Sequence, residues 1–435
     1  MLQSATMGDR ATLAIVHQST FVLALPSSMV YTYSKSKQGV LPMKRILVVI
    51  ILAAIVLTGL FLHPWKTASA AASPTHQTHS ACGKWTVASS PNPGTDTNFL
   101  SGVAAVAPGN IWAVGSYSNG SASSPLIEHR SKSRWTVVSS PNIAGSLSGI
   151  AAIAANNIWA VGENDSASMQ ETLIEHWNGA TWKIVPSPNF APSGNTLASI
   201  SVDTASDIWA VGTTTSTSTA SGYQPLIEHW NGTKWSLISS PAVSGRLSSV
   251  AAIAPNDAWA VGFYAGQNGT QTLAEHWNGT QWGIVSSPSP SAINFLNSVV
   301  KISANNVWAV GDYTNSPAPS AEYTPLIEHW NGTKWSVVSA VLQGTSDLLN
   351  GMTAISSNNI IVVGDYRTSI DPQGPYFTLI EHWNGTQWSV VTSPSPGSVD
   401  SDLTAVARVP KSNHLWAVGF TYDGTTDGTL TEKGC

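Results

Sequence analysis

Residues 257–282 read DAWAVGFYAGQNGTQTLAEHWNGTQW. AWAVGFY is a short run rich in Val and aromatics, TLAEHW is another, and both have the composition of β-strands. Between TLAEHW and the run that opens at Trp282 stands Asn278-Gly279, a strong hairpin signal because both residues tolerate positive φ. Upstream, LSSVAAIA (Leu247–Ala254) is closed by the turn Pro255-Asn256-Asp257, and downstream WGIVSS is stopped by Pro288. The unit is therefore four short strands in series. Its inner strands do not alternate cleanly between apolar and polar residues, which predicts burial on both faces.

The same unit recurs along the chain. IWAVG or a near copy places its second residue at Trp112, Trp159, Trp209, Trp259, Trp308, Ile361 and Trp416, and the LIEHW segment places Glu at 128, 175, 228, 275, 328, 381 and 432. Seven copies of a unit of about fifty residues, each apolar on both faces, satisfy themselves by radial stacking. The expected fold is all-β: a seven-bladed β-propeller with four antiparallel strands per blade. A sandwich needs one polar face per strand, and a linear solenoid needs distinct polar caps. Of the 19 tryptophans only Trp65 has no slot in the repeat, so tryptophan is read as structural.

The two cysteines bear on how the ring closes. Aligning TLTEKGC (429–435) on TLIEHWN puts Cys435 at the turn Asn, and aligning Cys82-Gly83-Lys84-Trp85 on GTKW puts Cys82 at the turn Gly. The termini are then two halves of one hairpin, with Trp85–Ser90 completing the last blade and a Cys82–Cys435 disulfide standing in for the missing peptide. Chain entropy gives such a closure roughly 4–5 kcal/mol at most.

The ends of the chain point to export. Met43-Lys44-Arg45, an apolar run from Ile46 to Leu62 and Ala68-Ser69-Ala70 form a secretory signal. The expected organisation is residues 1–42 as an upstream extension or misassigned start, 43–70 as signal peptide or signal anchor, 71–81 as linker and 82–435 as propeller. Extracellular localisation follows, or membrane anchoring with the propeller outside, and an oxidising compartment suits the disulfide. The chain carries 24 acidic and 19 basic residues, and without residues 1–70 it keeps 23 and 13, a net charge of −10. That balance predicts no nucleic-acid partner, and contact with a membrane only through an uncleaved signal segment. A monomer is expected. Charged residues are only 10% of the chain, so Ser, Thr and Asn carry much of its solvation.

The strings IWAVG, LIEHWNGTxW and VVSSPNP resemble those of a family of exported bacterial β-propeller repeat proteins, over Cys82 to Cys435. The resemblance implies the fold and export and carries no catalytic residues. More distantly the blade is similar to kelch and WD-repeat blades, but it lacks the Gly-Gly doublet of the former and the Trp-Asp of the latter.

Catalytic, cofactor and metal motifs are absent from the sequence, so no catalytic residue, cofactor or metal ligand is assigned. The repeated Glu-His pairs point to opposite faces of a strand. A seven-fold copy suits hydrogen bonding between blades or to the turns before the second strand, since an active site is needed once. Asp365, Asp371, Asp400 and Asp402 are expected to form a solvated acidic rim, the alternative being a glycosidase-like carboxylate pair. Function is expected where the repeats disagree. The connections after the second and fourth strands vary, share one face, and carry Tyr117, Tyr223, Tyr264, Tyr313, Tyr366 and Tyr422 among small polar residues. Aromatic platforms with such neighbours suit a glycan. The ranked expectation is a secreted non-catalytic glycan-binding propeller, then a protein-interaction scaffold, then a hydrolase with a loop carboxylate pair.

Overall fold

The computed structural model describes residues 83–435 apart from 121, 166–168, 191–193, 216–221, 317–320, 370 and 372–373. Residues 1–81, with the expected extension, signal and linker, and Cys82 lie outside the described residues.

The described residues form 28 strands in seven antiparallel blades. Blade 4 shows the pattern: Gly245–Ala254, Asp257–Gly266, Gly269–Trp277 and Trp282–Ile284, from inner to outer strand. Blade 1 runs Thr97–Ala107, Asn110–Ser118, Ser124–Ser131 and Arg134–Val137. Blade 7 is built from Asp400–Arg408, Leu415–Tyr422, Asp427–Gly434 and, as its outer strand, Trp85–Val87, with Trp85 opposite Gly434. Each inner strand packs against the inner strand of the next blade, and Asp400–Arg408 returns to Thr97–Ala107. The N-terminal strand completes the last blade, as the sequence predicts, and the inner strands of blades 7 and 1 meet.

The repeated motifs are junction chemistry. Every hydrophobic cluster draws on two neighbouring blades: one joins Leu100, Ile111 and Leu126 of blade 1 to Val409, Trp416 and Val418 of blade 7. Trp112 of blade 1 packs on Trp177 and Trp182 of blade 2, with ring centroids 5.1 and 5.6 Å away, and the same trio recurs from Trp159 to Trp230 and Trp235 and onward to blade 6. Where blades 7 and 1 meet, Arg130 replaces the hairpin Trp and lays its guanidinium 4.5 Å over Trp416. The Gly of IWAVG is fixed by a bulge in the partner strand: a Cβ on Gly115 would lie 1.9 Å from the Phe99 carbonyl oxygen, across the register shift between Leu100 and Gly102.

One expectation is corrected. In the outer hairpins only the glycine of Asn-Gly has positive φ, as at Gly279 (+94°). Asn278 Oδ1 instead accepts from the Thr280 and Gln281 amides at 3.0 Å, so the hairpin is a four-residue turn held by the asparagine side chain and not a two-residue turn with both residues left-handed.

Candidate functional site

Inner strands start on one face and second strands end there, so the connections after the second and fourth strands share a loop face. The turns after the first and third strands share the opposite, hairpin face. On the hairpin side the Glu-His pairs are explained. His129 Nε2 bonds Asn110 Oδ1 at 2.9 Å while its ring stacks on Trp112 at 4.1 Å, and Trp112 Nε1 donates to the same oxygen. His176, His329 and His382 repeat the bond to Asn157, Asn306 and Asn359, and His229 and His276 bond Asp207 and Asp257. Burial lowers the pKa of His129, His176, His329 and His382, favouring the neutral ring.

The glutamates point the other way, into the blade junctions, and all seven are fully buried. Ser140, Ser240, Ser287 and Ser393 of the preceding blades donate to Glu175, Glu275, Glu328 and Glu432 at 2.8, 2.9, 2.5 and 2.6 Å. Burial pushes Glu128, Glu228, Glu328 and Glu381 up to about 8 and Glu175, Glu275 and Glu432 up to about 7. The pairs are structural, and their two members serve different interfaces.

Two of the four rim aspartates are not solvated. Asp365 and Asp402 are buried at the junction of blades 6 and 7, hydrogen-bonded to each other, and Asn350 Nδ2 donates to both at 3.2 and 3.1 Å. Burial and the neighbouring carboxyl hold Asp365 well above the usual range, and Asp402 rises to about 7, chiefly by burial. The corresponding place at the junction of blades 7 and 1 holds the edge-to-face pair Phe99–Phe420. The carboxyl pair therefore occupies a packing position, and the expected rim is reduced to exposed Asp371 and half-buried Asp400.

The loop face carries a polar cleft of about 250 Å³ where the ring closes, lined by Asn92, Gly94, Thr95 and Asn98 from the blade 1 side and Thr421, Asp423, Thr426, Asp427 and Gly428 from blade 7. Buried Asn98 shapes its floor: its Nδ2 donates to the Gly94 and Asp427 carbonyls at 2.9 and 3.0 Å and its Oδ1 accepts the Gly94 amide at 2.7 Å. Asp423 is held down to about 2, first by the Thr425 hydroxyl and then by the Thr426 and Thr425 amides. Asp427 is pushed up to about 6 by burial and by Asp96, Asp400 and Asp423. Asp427 fills the repeat slot that holds Tyr223, Tyr323 and Tyr376 in blades 3, 5 and 6. That substitution of a carboxylate for an aromatic was the available sequence signal, while Asn92 and Asn98 gave none, since they meet Asp427 only through ring closure.

All six expected tyrosines lie on the loop side, half-buried and on six different blades. Tyr117, Tyr264, Tyr313 and Tyr366 pack against the junction cores. Tyr264 donates to Gln271 Oε1 at 2.7 Å, Tyr366 lies 5.5 Å from Phe377, and Arg246 sits 3.5 Å over the Tyr223 ring. Tyr422 stands opposite Asp427 in the ladder of blade 7 and is not among the residues that line the cleft.

No protein-family model matches the chain, and no curated protein matches it. The WD40 β-propeller domain of Doa1 superposes with a TM-score of 0.52 at 11% identity, covering 81% of this chain and 97% of that domain. YCF48 bound to D1 peptide matches at 0.49 and 12% identity, covering 80% and 96%, and Trypanosoma rangeli sialidase at 0.46 and 10%, covering 68% and 56%. The chain is a β-propeller.

Proposed function

We propose that the protein is an exported, non-catalytic binding propeller that takes a glycan on its loop face, in the cleft between blades 7 and 1. The observation that carries this reading is the lining of that cleft: amides, hydroxyls and two carboxylates with no aliphatic side chain. Such a set of donors and acceptors fits the hydroxyl-rich surface of a sugar, whereas an apolar ligand would desolvate the polar groups of the cleft without giving them partners. Tyr422, opposite Asp427 in the ladder of blade 7, is the tyrosine placed to support a sugar there, while Tyr117, Tyr264, Tyr313 and Tyr366 pack on the junction cores and Arg246 covers the Tyr223 ring.

Export is part of the same proposal, supported by the signal-like segment at 43–70. So is a Cys82–Cys435 disulfide: no described cysteine is free, and Cys435 follows Gly434, which pairs with Trp85. A protein-interaction scaffold is the second reading, favoured by the spread of the tyrosines over six blades. The hydrolase reading finds less support, because Asp365 and Asp402 are hydrogen-bonded to each other, closer than the roughly 5–9 Å of glycosidase pairs.

A glycan-array screen with residues 71–435, followed by titration of any hit, tests the reading. Saturable binding weakened by Asp427→Ala and Tyr422→Ala supports it, and binding indifferent to both removes the cleft from consideration.

A further inference from the structure

The overall negative charge conceals a separation between the two faces. Of the 13 basic residues in the propeller, 11 belong to the hairpin face. Lys84, Lys132, Arg134, Lys183, Lys234 and Lys334 stand exposed in or beside the outer hairpins, and Lys411 is exposed in an inner turn. The two cations on the loop side are engaged, Arg246 over Tyr223 and Arg367 donating to the Ala321 carbonyl at 3.0 Å. The acids are arranged oppositely. Setting aside the seven junction glutamates, 13 lie on the loop side and three on the hairpin side, where Asp207 bonds His229 and Asp257 bonds His276 and Lys301.

The cationic face is also aromatic and level. Trp177, Trp230, Trp277 and Trp330 are half-exposed beside the hairpins, held by indole N–H bonds to the inner-turn carbonyls of Ala155, Ala205, Pro255 and Ala304. In blades 2 to 6 the hairpins have the same length, from Trp177–Trp182 to Trp383–Trp388; Lys234 and Lys334 hold equivalent places in two of them, Lys183 follows Trp182 in a third, and blades 4 and 6 carry Gln281 and Gln387. A groove of about 570 Å³ between blades 4 and 5 combines Trp330, Lys334, exposed Ile284 and Pro288. The chain reaches the propeller at this face too, through Lys84 immediately before the outer strand of blade 7.

We propose that the hairpin face docks on an anionic lipid surface, with lysines at the headgroups and the tryptophan rim at the interface. The proposal is independent of what the loop face binds, and it departs from the expectation drawn from net charge, which averages over both faces. A rim of hairpins of equal length that carries exposed cations beside amphipathic rings suits a plane. A second copy would have to seat the hairpin face on loops of unequal length. Docking in this sense turns the loop face outward.

The test is co-sedimentation of residues 71–435, within which the ring is complete, with vesicles of equal parts phosphatidylglycerol and phosphatidylcholine. Binding at low salt that fades as salt screens the charges is expected, with little binding to phosphatidylcholine alone. Each lysine near an anionic surface is worth a factor of about five, so Lys183→Glu/Lys234→Glu/Lys334→Glu should weaken binding at least about a hundredfold. The loop-face control Glu171→Gln/Glu322→Gln/Asp371→Asn should leave it unchanged. Equal binding to neutral vesicles, or unchanged binding of the lysine variant, overturns the proposal. So does retention of nucleic acid, or salt-sensitive self-association, without vesicle binding.

Discussion

Replacing Glu275 by Gln isolates one of the seven buried carboxyls that the repeat places at its junctions. Glu275 has no solvent exposure, Ser240 Oγ donates to both its oxygens at 2.9 and 3.1 Å, and burial raises its pKa from 4.5 to about 7. A folded-state pKa above the unfolded value means that the native state holds the proton more tightly. The contribution to stability is then complete below about pH 4.5 and is lost as pH rises through about 7. The gap between 4.5 and about 7 corresponds to about 3 kcal/mol. Gln copies the protonated acid in shape and still accepts from Ser240 through its amide oxygen, but cannot ionise. Glu275→Gln should therefore be within about 1 kcal/mol of the wild type at about pH 5 and more stable by up to about 3 kcal/mol at about pH 8.5. Urea denaturation followed by tryptophan fluorescence at both pH values reads the difference directly. A Gln variant whose offset from wild type is the same at both pH values would mean that Glu275 does not hold its proton in the folded state. The other six glutamates titrate in the same direction, so the wild type itself should lose stability from mildly acidic to mildly alkaline pH.

Further outcomes follow from single contacts. Ala340 occupies the slot that Ser140 and Ser240 hold elsewhere, and it leaves Glu381 without a hydroxyl partner; Ala340→Ser should stabilise by about 1 kcal/mol in the same urea assay. Trp85, 3% exposed, fastens the last blade against Val391, Leu403 and Leu430; Trp85→Ala should cost about 3–5 kcal/mol and raise hydrogen exchange in Asp427–Gly434. Because Asp427 titrates at about 6, glycan affinity measured by titration should fall below that pH if its carboxylate accepts from the ligand, and Asp427→Asn should remove the pH dependence.

Most of the architecture was legible because one physical problem is solved seven times. The spacing of the Trp and Glu slots gave the blade count, and aligning Trp85 on the hairpin gave the closing strand, since both depend on local pattern alone. The Glu-His assignment was half legible: strand alternation separated the two side chains, but the serine that bonds Glu275 lies in the preceding blade and 35 positions away. The cleft was illegible for the same reason on a larger scale, since Asn98 and Asp427 are 329 positions apart and meet only when the ring closes. Asp365 and Asp402 misled because they lie near variable loops, yet their places in the second and inner strands put them inside a junction. Charge polarity was hidden in a single net value. It emerges once the exposed lysines are assigned to the hairpin side and most acids other than the junction glutamates to the loop side.

If the propeller takes its glycan in the loop-face cleft between blades 7 and 1, binding should depend on the residues of that cleft and not on the hairpin face. The decisive measurement titrates the strongest glycan-array hit into wild type, Asp427→Ala and the lysine variant of the hairpin face. Asp427→Ala should lose affinity at least about tenfold while the lysine variant binds as wild type. A glycan whose affinity survives Asp427→Ala but falls with the lysine substitutions would place the site on the hairpin face instead.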